Sequence, residues 1–507
     1  MSESPIWRRH GQRRAWALTA CAAAALVSAC AVGPRYMAPA APASTSYVRG
    51  GLPARTASSE HAGGEAQRFV PGLDIPGDWW TLFRSKELNL LIDRALANNP
   101  TLEAAQAALR NAQENVAAGR GAYFPSVSGS LGAQRQRASG AAFGSPRAFI
   151  YTLNSASVNV GYTLDAFGGV RRQVEALRAQ AQYQQFALEA SYLSLTANIV
   201  TAAVTEASLK DQIAATRRIA AAQRDQLDIV KRRVAAGGAS RADLMQQQAA
   251  LASTLAVLPQ LGHALGVEHN RLAAYVGALP EDYSGADFSL DSLTLPKDLP
   301  VSLPSKLVAQ RPDVQAYAAL LHAATAEVGV ATADMLPQIT LSGNYGGQAV
   351  KFADLFSPAS TVWSIAASLT QPLFKGGELL HKRRAAIAAA EEAAANYRAT
   401  VLTAFQDVSN TLQALEADGR SFAAYASAAD AAEASRDLVQ TQYKSGAASY
   451  VQLLTAEQNY ESAAVALVKA RAQRYADTAA LFQALGGGWW HRTDAQNNST
   501  PCCKGHL

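Results

Sequence analysis

Apolar and polar residues alternate with a period of two in four short segments of this chain. In 126–136, Val127, Leu131 and Ala133 oppose Ser126, Ser128, Ser130 and Gln134. In 155–164, Ala156, Val158, Val160, Tyr162 and Leu164 oppose Ser155, Ser157, Asn159 and Thr163. In 338–345, Ile339, Leu341 and Tyr345 oppose Gln338, Thr340, Ser342 and Asn344; in 362–370, Trp363, Ile365, Ala367 and Leu369 oppose Ser364, Ser368 and Thr370. Period two predicts strands with one apolar and one polar face. Lengths near ~10 residues fit strands that cross a bilayer at a tilt. A soluble half-buried sheet alternates in the same way, but here the polar face is small and uncharged, as suits a water-filled lumen. Four strands cannot close a barrel, because bacterial barrels start at about eight. An open sheet edge in lipid leaves backbone groups unsatisfied. If these strands span a membrane, several chains must share one barrel.

A second pattern runs at helical spacing. From Phe167 to Val234 there is no Pro, and no Gly after Gly169. At ~1.5 Å per residue such a helix extends about 100 Å. Tyr192, Leu195, Ile199, Ala202, Leu209 and Ile213 form one apolar stripe; Leu193, Ala197, Val200, Val204 and Ala207 form another beside it. A two-helix coiled coil needs a single seam. Two adjacent seams predict a neighbour on each side, as in the wall of a helical barrel. Val401, Phe405, Val408, Leu412 and Leu415 repeat the design later in the chain. A plain coiled-coil bundle has this periodicity too, but it does not explain the alternating strands.

The chain reads as one unit used twice. Asn99-Pro100 and Arg311-Pro312 each open a helix, and Pro125 and Pro337 each end it and begin a strand. Leu164-Asp165-Ala166-Phe167 matches Gln371-Pro372-Leu373-Phe374, and Gly237 through Ser240 matches Gly446 through Ser449. The predicted organisation is a leader at 1–29, an N-terminal tether at 30–77 and a first repeat at 78–280 with a hairpin at about 126–164. A Pro-containing linker at 281–303 leads to a second repeat at 304–490, with a hairpin at about 338–373, and a polar tail at 491–507. The fold class is mainly α with a small transmembrane β part.

The leader has a basic start, Arg8 to Arg14, and an apolar stretch from Ala15 to Ala29, the form of a secretory signal. It ends Val27-Ser28-Ala29-Cys30, which resembles a bacterial lipobox with Cys30 as the acylated residue. Several acyl chains anchor a protein stably, at ~0.8 kcal/mol per buried CH₂. By resemblance to sorted lipoproteins, Ala31 in place of Asp favours the outer membrane. The stretch from Cys30 to about Ser59, rich in Ala, Pro, Ser and Gly, reads as an extended tether. The formal charge is +5 over 507 residues, too weakly basic to support nucleic-acid binding. No apolar run reaches the roughly 20 residues of a transmembrane helix. The four cysteines have neither zinc-ligand nor disulfide-framework spacing.

These pieces together resemble the TolC-like outer membrane factors, in their lipoprotein branch, over nearly all of residues 30–490. The matching pieces are Cys30-Ala31-Val32-Gly33-Pro34-Arg35-Tyr36, Asp78-Trp79-Trp80-Thr81-Leu82-Phe83, Leu336-Pro337-Gln338-Ile339 and Gln371-Pro372-Leu373-Phe374-Lys375-Gly376-Gly377. Tyr443-Lys444-Ser445-Gly446 running to Ser449, and Ala484-Leu485-Gly486-Gly487-Gly488-Trp489, complete the set. The resemblance implies a homotrimer whose strands share one barrel, continuous with a periplasmic helical tunnel. It implies a periplasmic membrane-fusion adaptor, an inner-membrane transporter of the proton-driven RND type, and outer-membrane lipid as partners. The implied function is the exit duct of a tripartite efflux pump for small molecules. A type I polypeptide-secretion duct is the alternative, and a structural coiled-coil lipoprotein the alternative from another class.

The helices turn at Ala236-Gly237-Gly238-Ala239-Ser240 and Ser445-Gly446-Ala447-Ala448-Ser449. Gly permits the left-handed helix stop, and Ser caps the next helix. By resemblance, Gly237, Ser240, Gly446 and Ser449 mark the periplasmic tips that meet the adaptor, and Asp243 and Tyr443 link neighbouring helices and hold the entrance shut. The sequence departs from the family at the usual carboxylate ring, where Gln452 and Thr455 stand, and at a gate arginine, where Ala448 stands. No HExxH, GxSxG or P-loop pattern occurs, and His263 and His269 do not share a helix face. No enzymatic activity and no cofactor beyond the lipid on Cys30 is expected.

Overall fold

The structure, a computed structural model, describes residues 31–139, 141, 144, 147–285 and 288–492. The leader and Cys30 lie outside the described residues, as does the tail beyond Arg492. The elements, in order, are β1 (Arg68–Pro71), α1 (Lys86–Asn98), α2 (Pro100–Arg120), β2 (Ser126–Ala138), β3 (Phe149–Leu164), α3 (Gly169–Ala235) and α4 (Arg241–Tyr275). Then come β4 (Asp298–Val301), α5 (Pro304–Gln310), α6 (Pro312–Ala333), β5 (Gln338–Ala349), β6 (Thr361–Thr370), α7 (Glu378–Ser445) and α8 (Tyr450–Ala484). The duplication is plain in the lengths: α3 and α7 have 67 and 68 residues, and α4 and α8 have 35 each.

The chain divides into two compact units that each draw on both repeats. Among the described residues, one comprises those within 31–38, 110–183 and 317–397; the other comprises those within 39–109, 184–316 and 398–492. The first unit contains a four-stranded antiparallel sheet in the order β2-β3-β5-β6. The pairing aligns the predicted faces across all four strands. Ser130 pairs with Ser157 and Asn159 with Asn344, and these side chains join in a ladder. The two hydroxyls are 2.8 Å apart, Asn159 donates to Ser130 at 3.3 Å, and Asn344 donates to Asn159 at 2.6 Å. On the opposite face Val158 pairs with Tyr345 and Tyr345 with Trp363. That face is bare: Trp363 is 70% and Ile365 83% exposed, with Val127, Leu131 and Leu369 comparable. β2 and β6 are both edge strands.

The strands run further than alternation predicts, because β3 begins at Phe149 and β5 continues to Ala349. Residues 149–154 carry a mixed pattern, and cross-strand pairing rather than a sided face holds them. Phe149 and Tyr151 stack at 5.6 Å.

The N-terminal stretch differs from a free tether. Val32 N–H donates to the Phe167 carbonyl at 3.1 Å, and Arg172 Nε donates to the Val32 carbonyl at 3.1 Å. Tyr36 stacks on His322 at 4.4 Å, and His322 Nε2 lies 2.9 Å from Glu175. Gly33, at φ +91°, passes so close to α6 that a Cβ would lie 2.5 Å from Gly329 Cα. The segment is extended but docked.

In the second unit Trp79 and Phe482 stack at 5.3 Å, and Phe83 and Tyr475 pack beside them. Arg474 is fully buried and donates to the Gly63 and Glu65 carbonyls. The linker is also partly ordered by pairing, since β4 runs parallel to β1. By length and composition alone α3 and α4 are long and apolar enough to cross a membrane. This departs from the expectation of no such run. The most apolar stretch of α3 is 56% buried within the fold, as for a helix packed in protein, whereas that of α4 is 11% buried.

Candidate functional site: the paired helix turns

The two helix turns are built alike in the second unit. After α3, Gly237 takes φ +75° and Gly238 N–H donates to the Arg233 carbonyl at 2.8 Å. After α7, Gly446 takes φ +80° and Ala447 N–H donates to the Gln442 carbonyl at 2.8 Å. The left-handed residue closes the last turn and pairs carbonyls that the helix end leaves open. Each returning helix then starts with a capping box. Ser240 Oγ accepts from Asp243 N–H at 3.1 Å, while the Asp243 carboxylate accepts from Ser240 N–H at 3.0 Å. Ser449 Oγ accepts from Gln452 N–H at 3.3 Å, and Gln452 Oε1 accepts from Ser449 N–H at 2.7 Å. Asp243 and Gln452 therefore occupy equivalent places. Gly237, Ser240, Gly446 and Ser449 are all exposed.

The expected Asp243–Tyr443 bond is not what the structure forms. Among the described residues no hydrogen bond joins the two within the chain. Asp243 is turned into its own capping box, which uses the carboxylate locally. Tyr443 is 6% exposed, with the Arg233 guanidinium 4.6 Å above its ring and Tyr450 edge-on at 6.0 Å. It belongs to an apolar cluster with Val230, Tyr450 and Leu453, against which Val234, Leu244 and Val439 pack.

The polar linkage between the hairpins runs through other residues. The Tyr450 phenol donates to Gln247 Oε1, and Gln247 Nε2 donates to the Gln223 carbonyl at 3.0 Å. This chain joins α8 to α4 and α4 to α3. Gln247 is fully buried. Burial, then the neighbouring acidic groups of Glu457, Tyr443 and Asp243, raise the Tyr450 phenol above its usual range, so it stays a donor at physiological pH. Sequence reasoning missed this set. The available signal was an aromatic residue directly after the Ser449 cap, with Gln247 one helical turn beyond Asp243.

Further along the helices, burial pushes Glu457 up to about 7, with Arg436 opposing it. Glu461 accepts from Thr254 at 3.4 Å and is also raised by burial. Asp418 is pushed up to about 8 by burial first and then by its contact with Asp477. Among the described residues no group of three or more His, Cys, Asp or Glu side chains is placed to hold a metal ion.

What this arrangement can do is mechanical. Two capped hairpins are joined here by a small aromatic cluster and one buried amide.

Comparison with known proteins agrees with this architecture. The family model described as outer membrane efflux protein matches residues 91–278 and 303–487. The pyoverdine export outer membrane protein OpmQ of Pseudomonas aeruginosa is 31% identical over 425 residues, 81% of this chain and 87% of that protein. The outer membrane protein OprJ of the same organism is 27% identical over 486 residues, 94% of this chain and 97% of its own. The solved outer-membrane channel OprN superposes with a TM-score of 0.82 at 27% identity, over 91% of this chain and all of that one.

Proposed function

Because the chain belongs to the outer membrane efflux protein family, we propose that it forms the exit duct of a tripartite pump that expels small toxic molecules. It is an outer-membrane efflux protein that extends into the periplasm. The observation that carries the reading is the sheet of β2, β3, β5 and β6. One face is a hydrogen-bonded row of Ser and Asn, and the other is bare Trp, Ile, Leu and Val. An exposed apolar face of this extent belongs against lipid, and the polar face against water. The edges of β2 and β6 must then be covered, because lipid cannot satisfy a free strand edge. Three copies closing edge to edge give a barrel of about twelve strands, within the range of bacterial barrels.

The acyl chains on Cys30 add a second hold on the membrane. The docked segment from Val32 to Tyr36 supports this, because it fixes the residues just after Cys30 to the strand-to-helix junction at Phe167. The exposed turns at Gly237, Ser240, Gly446 and Ser449 meet the periplasmic membrane-fusion adaptor, and a proton-driven inner-membrane transporter of the RND type supplies the cargo. Pyoverdine export is what the name of OpmQ records; a small-molecule cargo here rests on that likeness.

Purified protein added to planar lipid bilayers is expected to give discrete conductance steps. Removing it from its host should raise sensitivity to small toxic compounds and leave polypeptide secretion intact. Loss of a secreted polypeptide instead would place it with the type I secretion ducts.

A further inference from the structure

The charged residues of the two strand hairpins gather at one end. Within 126–164 and 338–370 they are Arg135, Arg137, Arg147 and Lys351, against the single acid Asp354. This is the end away from the helices, because α2 runs into β2 and β3 runs into α3. With the helices in the periplasm it is the outer end. β2 and β3 pair without a break, from Ser126 with Gly161 to Ala138 with Phe149. Alternation therefore persists along β2, and Arg135 and Arg137 share the face of Val127 and Leu131. Both arginines are exposed, and among the described residues neither is ion-paired. Arg135 stands eight residues beyond Val127, about 27 Å along the strand and about 20 Å in height at the usual barrel tilt. The apolar band of a bacterial barrel is ~25 Å tall, so the guanidiniums rise at its upper edge, where lipid headgroups begin.

A groove of about 540 Å³ lies lower on the same face. Its large side chains are Leu131, Val158, Tyr345, Leu355 and Phe356; the remainder are Gly, Ala, Ser and Thr, and none is charged. Position 347 also points to this face, and a Cβ there would strike the Leu355 carbonyl, so the β5–β6 loop folds over the sheet and roofs the groove. Ser360 Oγ fixes that fold by donating to the Leu355 carbonyl at 2.7 Å. We propose that Arg135 and Arg137 bind the phosphate of an outer-leaflet glycolipid, one acyl chain of which lies in this groove. Guanidiniums take phosphate through paired N–H groups, and two of them about 7 Å apart along one strand face meet a phosphorylated headgroup together. The inference rests on this sheet face meeting lipid.

Native mass spectrometry of the full-length protein in detergent, titrated with diphosphoryl lipid A, tests this, with phosphatidylcholine and inorganic phosphate in parallel. Saturable binding of lipid A is expected, at least tenfold tighter than phosphatidylcholine and not displaced by inorganic phosphate. Arg135→Gln with Arg137→Gln should weaken it tenfold or more, and Arg135→Lys with Arg137→Lys should recover part of the loss. Ala156→Phe, which fills the groove and leaves the charges, should also weaken it. Equal affinity for the two lipids, displacement by inorganic phosphate, unchanged binding in the glutamine or Ala156→Phe variants, or no recovery with lysine overturns the proposal. Spin labels at 363 and 364 separate its failure from that of the reading beneath it. If 363 reports lipid and lipid A still binds no better than phosphatidylcholine, the headgroup site alone is wrong. If 363 reports water, the facing of the sheet is wrong and the site falls with it.

Discussion

Tyr450→Phe is the sharpest perturbation of the hairpin linkage. It removes one hydroxyl and keeps the ring that packs edge-on against Tyr443 at 6.0 Å. Gln247 is fully buried, so its Oε1 loses the phenol and gains no water. A buried acceptor left without a partner costs about 1–3 kcal/mol. Since 1.4 kcal/mol is a factor of ten, the joined arrangement weakens by about 5- to 150-fold per chain. If three copies open together the costs add, and the open state gains several kcal/mol in all. The assay is single-channel recording in planar bilayers, with Gln247→Leu as the second variant. Tyr450→Phe should raise conductance or open probability. Gln247→Leu removes the acceptor too, so the double variant should add little to either single one. Tyr443→Phe, which leaves the Tyr450–Gln247 bond intact, should change little. If Tyr450→Phe behaves as the unaltered protein while Tyr443→Phe and Asp243→Asn both open the channel, the linkage is misassigned and the Asp243–Tyr443 pair is the gate after all.

Spin labels at 363 and 364 should report lipid-soluble and aqueous quenchers respectively; the reverse would put the sheet the wrong way round. Asp418, raised to about 8 by burial and Asp477, holds its proton more tightly folded than unfolded. Its contribution to stability is therefore full below pH ~4, near the ordinary carboxylate value, and is lost as pH rises towards 8. Melting temperature should fall across that window, and Asp418→Asn should flatten the slope; an unchanged slope refutes the assignment. Mass spectrometry of the mature N-terminus should find Cys30 acylated, and an unmodified Cys30 or cleavage elsewhere would contradict that reading.

The strand faces were legible because each strand meets two different media, and period two records both. Their ends were not, since residues 149–154 and 346–349 are held by partner strands rather than by a sided environment. The helix turns were legible from Gly and Ser, whose backbone and capping chemistry is local. The partner of Tyr443 was not, because it depends on which side chains converge when two hairpins pack. There Arg233 and Tyr450 surround the ring, while Asp243 is taken by its own helix end. Docking of the segment after Cys30 was equally hidden. Arg172 binds main-chain carbonyls of Val32 and Gly33, and a carbonyl leaves no trace in residue identity. Docking at Arg474 is of the same kind.

The central claim is that β2 and β6 of separate copies pair to close one barrel around a polar lumen. Native mass spectrometry of the detergent-extracted protein measures this most directly, by counting chains in the assembly. The account predicts three copies, stable until the sample is heated. A monomer or dimer that still conducts in planar bilayers would contradict it, because four or eight strands would then have closed a channel without the third copy.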